Sequence, residues 1–507
     1  MNLVYGVKDR PKAGRVIIFA LQQLLAIMAA TIAVPMIVGN GMQPSAALFG
    51  AGIGTLVYLL FTKFKSPVFL GSSFAFLGSM AVAFAGGVTV ALGYLGLLIG
   101  AVLAGLVYVV IALVVKFAGT KWIDKIMPAV VIGPTVAIIG LSLAGNAIGD
   151  LMSGSASYVV EDVAHPYANT YIALLCGLVT LAVTIICSVY GKKMLKMIPF
   201  IIGILSGYVL AAIFTAFSYI EGAECLRVID FTPFTTLGTA EAWYPNFSFL
   251  TAFNVYGDGY GIINKAGEFV AYDAGQIGAY IGTIAVAYIP VAFVVFAEHI
   301  ADHKNISSII ETDLLKDPGL HRTLLGDGVG SIAGAFFGGC PNTTYGESVG
   351  CVAISGNASV ITIFVTACLA ILSAFLAPFT LFLSSIPKCV MGGVCVALYG
   401  FIAVSGLKMI QNVDLNENRN LFVVSVILIA GVGGMTLEIG PVVITEVACA
   451  LILGILCNLL VNIKSKKSDG NEQLAIEGVV TAQTEDSDEI PKVSEVLKDE
   501  EAGNEKV

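Results

Sequence analysis

Gly338-Gly-Cys-Pro-Asn-Thr-Thr-Tyr-Gly-Glu-Ser-Val-Gly350 is a glycine-rich run with one carboxylate, Glu347, set between long apolar segments. In a bilayer both a charge and unpaired backbone amides are costly. Non-helical backbone at membrane depth is tolerated only where it is buried in protein or lines a cavity. A helix broken here, with a carboxylate at its new start, reads as a candidate substrate site of the kind transporters build. The plainer alternative is a re-entrant loop or a helix–helix contact that leaves the Glu in a loop.

Composition supports a membrane setting. Of 507 residues, 57% are hydrophobic and 12% charged, and the mean hydropathy is +0.90. Soluble domains carry about 25% charged residues, so the chain reads as an all-α polytopic membrane protein. Fifty-six glycines suit close helix packing and broken helices. Lys8, Arg10, Lys12 and Arg15 precede an apolar run too long for the core of a signal peptide. The ten cysteines are scattered, and most fall inside apolar segments (Cys176, Cys187, Cys368, Cys449, Cys457). No CxxC or Cys/His spacing suggests a metal, so they read as small packing residues, and no cofactor is expected. Of the net charge of −9, the segment 464–507 holds −6, from 6 Lys against 12 Asp and Glu. It reads as a disordered, acidic, cytoplasmic tail.

Crossing about 30 Å of hydrocarbon takes roughly 20 apolar residues. Such runs fall near 14–37, 45–62, 92–115, 127–148, 169–189, 197–219, 277–302, 360–386, 388–406, 420–438 and 441–462. Three segments are shorter or Gly-rich, 67–86, 323–338 and 343–357, which brings the expected total to fourteen. Basic residues cluster at the N-terminus, at Lys63/Lys65, Lys116/Lys121/Lys125, Lys192/Lys193/Lys196, Lys304/Lys316/Arg322, Lys408/Arg419 and Lys464/Lys466/Lys467. Those clusters follow even-numbered spans, so the positive-inside rule puts both termini in the cytoplasm. Arg227, Lys265 and Lys388 are the exceptions. The outer loop 220–275 carries Phe253-Asn-Val-Tyr256 and Gly267-Glu-Phe-Val-Ala-Tyr272 around Gly turns, a predicted hairpin. It is either a cap over the pore or a surface ornament, and ornament is favoured.

Two interrupted segments occupy comparable places in the two halves: Ser66-Pro-Val-Phe-Leu-Gly-Ser-Ser-Phe-Ala-Phe76 and Cys340-Pro-Asn-Thr-Thr-Tyr-Gly-Glu-Ser-Val349. In each, Pro opens a short extended run, and a small polar or acidic residue follows where a half-helix would start. They sit in spans 3 and 10, seven apart. Since seven is odd, this predicts a 7+7 inverted repeat, with chance coincidence of two breaks as the alternative.

The end of span 8 reads Phe293-Val-Val-Phe-Ala-Glu298-His299-Ile-Ala-Asp302-His303. Glu298 and Asp302 are four apart and share a helical face. Like charges so close disfavour joint ionisation, which suits proton coupling. The alternative is a solvated cytoplasmic helix end, more credible for Asp302 and His303 than for Glu298. Glu298 and Glu347 are then the intramembrane acids near breaks, with no Lys or Arg placed beside them. Carboxylates accept adjacent N–H donors in strong, charge-assisted hydrogen bonds. Half-helix amides would take carbonyl oxygens, and Phe74, Phe76 and Tyr345 offer flat faces. The implied ligand is small, planar and neutral, with alternating N–H and C=O groups. Glu438 and Glu446, without a break motif beside them, take a structural reading. With no nucleophile–base pair, an enzyme is not expected.

These stretches resemble the nucleobase–ascorbate transporter family, the uracil/xanthine permeases, over nearly the whole chain to about residue 463. The resemblance rests on Leu70-Gly-Ser-Ser-Phe-Ala-Phe76, Ala297-Glu-His299, Lys316-Asp-Pro-Gly-Leu-His-Arg322, Pro341-Asn-Thr-Thr-Tyr-Gly-Glu347, Val390-Met-Gly-Gly393 and Leu398-Tyr-Gly400. The wording Thr343-Thr-Tyr-Gly-Glu347 is similar to that of its bacterial uracil permeases. The resemblance implies fourteen spans with short antiparallel strands in spans 3 and 10. It implies a core domain of residues 1–126 (spans 1–4) and 276–386 (spans 8–11). It implies a gate domain of 127–219 (spans 5–7) and 387–463 (spans 12–14). Glu298 and Glu347 would bind a pyrimidine, with backbone at Phe74 and Gly346 hydrogen-bonding it. Ala30 and Tyr345 would line the pocket and Tyr399 would face it from the gate. Proton-coupled uptake by a homodimer in the bacterial cytoplasmic membrane is further implied, with Glu298, Asp302 and Glu347 as the proton-coupling acids. Partners would be a small nucleobase and membrane lipid, with no nucleic acid.

Three positions depart from the family's pattern. Glu347-Ser-Val-Gly350 has Ser348 where the family has Asn, with Ser355-Gly356 further on. Gln23 replaces a His in span 1, and Asp302 replaces a His one turn after Glu298. Ser348 therefore bears on substrate preference, and an Asp–Glu pair must do what a His–Glu relay would. Rival ligands are xanthine or other purines. A rival of another class is an anion carrier of similar 7+7 architecture, against which the two carboxylates argue.

Overall fold

The computed structural model describes residues 3–160, 163–192, 194–257, 259–264, 266–411, 413–439 and 442–463. The expected acidic tail from Lys464 lies outside the described residues. The protein is mostly helical. Among the described residues, eight helices are long and apolar enough to cross a membrane: Ala13–Val38, Pro44–Phe61, Val90–Ala118, Ala129–Leu151 (kinked near Leu143), Thr170–Tyr190, Pro199–Phe217, Ala274–Ile310 and Lys388–Ile410. A ninth is added if Val360–Ser373 and Ala377–Ser385, bent by 84°, form one span. The other expected spans coincide with helices that are shorter, broken or less apolar: Leu77–Ala83, Leu320–Gly338, Gly346–Ser355, Asn418–Val432 and Glu446–Val461.

Local chemistry sets the helix starts. Pro44 and Pro199 occupy first-turn positions, where a missing N–H costs nothing. The long helix Ala274–Ile310 opens on a reciprocal capping box between Asp273 and Gln276. The glycines work by close approach. A methyl on Gly54 would lie 2.7 Å from the Gly330 carbonyl oxygen, and one on Gly330 would lie 2.7 Å from that of Gly54. Helices Pro44–Phe61 and Leu320–Gly338 thus pack backbone to backbone.

Two groups of helices pack most extensively within themselves. Ala13–Val38, Pro44–Phe61, Val90–Ala118, Ala274–Ile310, Leu320–Gly338 and Val360–Ser373 form one. Ala129–Leu151, Thr170–Tyr190, Pro199–Phe217, Lys388–Ile410, Asn418–Val432 and Glu446–Val461 form the other. At the middle of the first group two three-residue strands, Leu70–Ser72 and Asn342–Thr344, pair antiparallel in the register Leu70↔Thr344, Gly71↔Thr343, Ser72↔Asn342. Both interrupted segments are therefore broken as the sequence implied.

The outer-loop hairpin pairs Gly261–Ile263 with Phe269–Ala271. Phe253–Tyr256, expected as its first strand, is instead a turn with Asn254 at φ 57°. The loop is docked rather than loose. Thr89 donates from its amide to Gly261 O and from its hydroxyl to Gly259 O, at 2.9 and 2.8 Å. Phe247 and Phe249 pack into a cluster with Phe49, Phe336 and Phe337.

Candidate functional site

The site grows from the paired strands. Pro67 and Pro341 cannot donate to a ladder and keep the residues before them extended, so each segment enters as a strand. After Thr344 the chain turns helical at Gly346, and Tyr345, the residue before it, makes no side-chain cap bond. The first intrahelical backbone bond runs from Val349 N to Tyr345 O at 3.2 Å, so the amides of Gly346 and Ser348 have no backbone partner within the helix, while that of Glu347 meets its own carboxylate. Opposite them, Phe74–Phe76 forms a tight turn leading into Leu77–Ala83. Ser73 N is spent on Pro341 O, 2.9 Å away. Two helix starts thus approach one another across the strand pair, each presenting backbone donors.

Tyr345 fastens this crossing. Its amide donates to Phe69 O at 3.2 Å and its hydroxyl to Ser72 O at 2.8 Å, so the side chain spans the neighbouring strand. The ring lies against Gly71, the one position where the strand has no Cβ to obstruct it.

Helices Ala274–Ile310 and Ala13–Val38 both pack on the half-helix Gly346–Ser355 and on the strand region. The first brings Glu298 and Asp302. Asp302 is 7% exposed, and its Oδ2 accepts from the Thr344 hydroxyl at 2.8 Å. A methyl on Gly346 would stand 3.7 Å from Asp302 Oδ1. Asp302 therefore sits beside the half-helix start that carries Glu347. Glu298 and Glu347 are half-buried, and Gly346 is the exposed residue in an otherwise covered run from Gly338 to Val349. From the second helix comes Ala30, fully buried. From Lys388–Ile410 comes Tyr399, whose ring meets that of Phe74 edge-on at 5.4 Å. The seven residues expected to bind substrate lie on this crossing and on the helices packed around it.

Several expectations need correction. Asp302 and His303 are not a solvated helix end: the helix runs on to Ile310, and both side chains are buried. Glu446 does follow a break, the hairpin of Leu437–Ile439 with Val442–Ile444. It lines a cavity of about 10 Å³ together with Phe74, Ala75, Gly78, Ser142 and Thr445. The side chain of Glu438 lies outside the described residues. Sequence reasoning does not single out a further buried acid. Asp327, 1% exposed in Leu320–Gly338, lies 2.7 Å from His299 Nδ1. His299 stacks on His303 at 4.0 Å, and His303 Nε2 is 2.7 Å from the Tyr58 hydroxyl. A carboxylate within an apolar, Gly-rich segment was the available signal.

Comparison with known proteins agrees with this architecture. The model of a permease family (Xan_ur_permease) matches residues 14–440. The chain belongs to this permease family. The permease is 39% identical over 463 residues to the uracil permease of Bacillus caldolyticus, covering 90% of this chain and 94% of that one. It is 38% identical over 475 residues to that of Bacillus subtilis strain 168, covering 92% and 98%. In three dimensions the permease resembles the murine anion transporter Solute Carrier 26 family member A9 in its inward-facing state. The TM-score is 0.56 at 12% identity, over 90% of this chain and 69% of that one. At that identity the likeness speaks for a shared fold alone. Family and apolar helices together make the permease a multi-pass membrane transport protein.

Proposed function

We propose that the permease takes up uracil across the bacterial cytoplasmic membrane together with protons, by alternating access. The observation that carries this reading is the pair of half-buried carboxylates, Glu298 and Glu347, at a crossing where two broken helices start beside a strand pair. Carboxylates accept from ring N–H groups, and amides donate to ring carbonyls, the complement of a neutral pyrimidine-dione. Phe74, Tyr345, Gly346, Ala30 and Tyr399 complete the pocket. Curated relatives at 38–39% identity that bear the name uracil permease support the choice of base.

Fourteen spans in a 7+7 inverted repeat, with both termini cytoplasmic, are the arrangement this reading adopts. The group of helices containing the strand pair (1–126 and 276–386) acts as core, and the other (127–219 and 387–463) as gate. Their internal packing supports treating them as two bodies. Glu298 and Asp302 on one helical face, with Glu347 across from them, carry the proton. Neutralising one buried acid lowers the cost of moving the group between states. The working unit is a homodimer.

An anion carrier fits less well, although its fold is shared, since carboxylates at the crossing repel an anion. Radiolabelled uracil uptake by cells carrying Glu347→Ala should collapse, and normal affinity in that variant would refute the site. Competition of uptake by xanthine separates a pyrimidine site from a purine one.

A further inference from the structure

We infer that Gln23 and Ser348 form a positioning pair that sets the pose of Gly346 and Glu347 for the ligand, an inference that rests on the site reading above. The two residues lie 325 positions apart, yet Gln23 Nε2 donates to Ser348 Oγ at 2.6 Å and lies 3.4 Å from Ser348 O. The same Oγ accepts from Phe69 N at 3.0 Å. One hydroxyl oxygen therefore joins three segments: the helix Ala13–Val38, the chain entering the strand Leu70–Ser72, and the first turn of Gly346–Ser355. Gln23 is 3% exposed, and Ser348 and Phe69 are fully buried. Water does not compete there, so losing Ser348 leaves two buried donors, Gln23 Nε2 and Phe69 N, unpaired, and losing Gln23 leaves the Ser348 oxygen with one donor fewer.

The backbone shows why this contact governs pose rather than stability alone. Phe69 has both its polar groups tied to the half-helix start, its N–H to Ser348 Oγ and its C=O to Tyr345 N. Those two bonds bracket Gly346 and Glu347 between them. Ser348 commits both acceptor positions of its hydroxyl to protein donors, so the position holds the half-helix in register. Gln23 is an amide with no ionisable proton, so the clamp acts alike at any pH. That separates it from the acids Glu298 and Asp302.

A double-mutant cycle on the full-length, detergent-purified permease tests the pair. Gln23→Ala, Ser348→Ala and the double variant are compared for uracil dissociation constant, and in reconstituted vesicles for KM, kcat and pH profile. Each single change should weaken uracil binding about tenfold, and the double variant should be no worse than the weaker single one. KM should rise while kcat stays within about twofold, and the pH profile should keep its shape. Ser348→Thr, which keeps the acceptor oxygen, should restore affinity. Additive losses, or single variants that bind like wild type, overturn the pairing. Should Ser348→Ala fail to fold, Gln23→Ala alone decides in the same way. A wild-type protein that binds no uracil would instead sink the functional reading, an outcome distinct from additive losses.

Discussion

Gly71→Ala is the sharpest perturbation of the crossing, because it adds one methyl where Tyr345 lies across the strand. That methyl would overlap the Tyr345 ring and stand 2.8 Å from its hydroxyl oxygen. The ring has little room to withdraw, being 3% exposed and tied by its hydroxyl to Ser72 O at 2.8 Å. Overpacking of a close-packed site costs about 1–3 kcal/mol. Losing the Tyr345–Ser72 hydrogen bond adds about 1 kcal/mol. The sum, about 2–4 kcal/mol, divides between a lower melting temperature and weaker ligand binding. If even half falls on the pocket, uracil affinity drops by roughly five- to thirtyfold. Isothermal titration on purified protein reads the affinity, and a melting curve reads the remainder. Tyr345→Phe removes only the hydrogen bond and should cost about 1 kcal/mol. Gly71→Ala combined with Tyr345→Ala relieves the overlap and should recover melting temperature relative to Gly71→Ala without recovering affinity. A Gly71→Ala protein with wild-type melting and wild-type affinity would refute the role given to Tyr345.

We predict that uracil uptake by the intact permease falls as external pH rises, because the site must hold a proton before it moves; Glu298→Gln should flatten that profile in vesicles with an imposed pH gradient. Thr344→Val removes the donor to Asp302 Oδ2 and should change the pH profile more than the melting temperature, read side by side. Asp327→Ala leaves buried His299 without its hydrogen-bond partner and should cost about 1–3 kcal/mol of stability, read in a detergent melting curve. Lys65→Ala breaks an ion pair whose acid, Asp317, is 64% exposed, and its melting temperature should match wild type, since exposed pairs contribute about 1 kcal/mol or less.

Much of the helical architecture was legible because bilayer depth demands long apolar runs, and each expected span met a helical element. The breaks at 66–76 and 340–349 were legible because Pro and Gly act locally. Strands of three residues, by contrast, are too short to show alternation, and only the family resemblance supplied them. Pairing Leu70 with Thr344 across 274 positions leaves no local trace. The same holds for Gln23 with Ser348 and for His299 with Asp327, whose partners come from separate helices. Phe253–Tyr256 looked like a strand through its spacing, but Asn254 in the left-handed region turns the chain there. For Asp302 and His303 the solvated alternative stays open in the sequence because the apolar run ends at them. Burial there comes from neighbouring helices and from Thr344, which a single segment does not reveal.

The most direct measurement is equilibrium binding of radiolabelled uracil to purified wild-type, Glu298→Gln and Glu347→Gln permease across a range of pH. The account predicts saturable binding by wild type and loss of at least tenfold in affinity for each variant, since each removes a charged acceptor from the crossing. Uracil binding that survives both substitutions with unchanged affinity would contradict it.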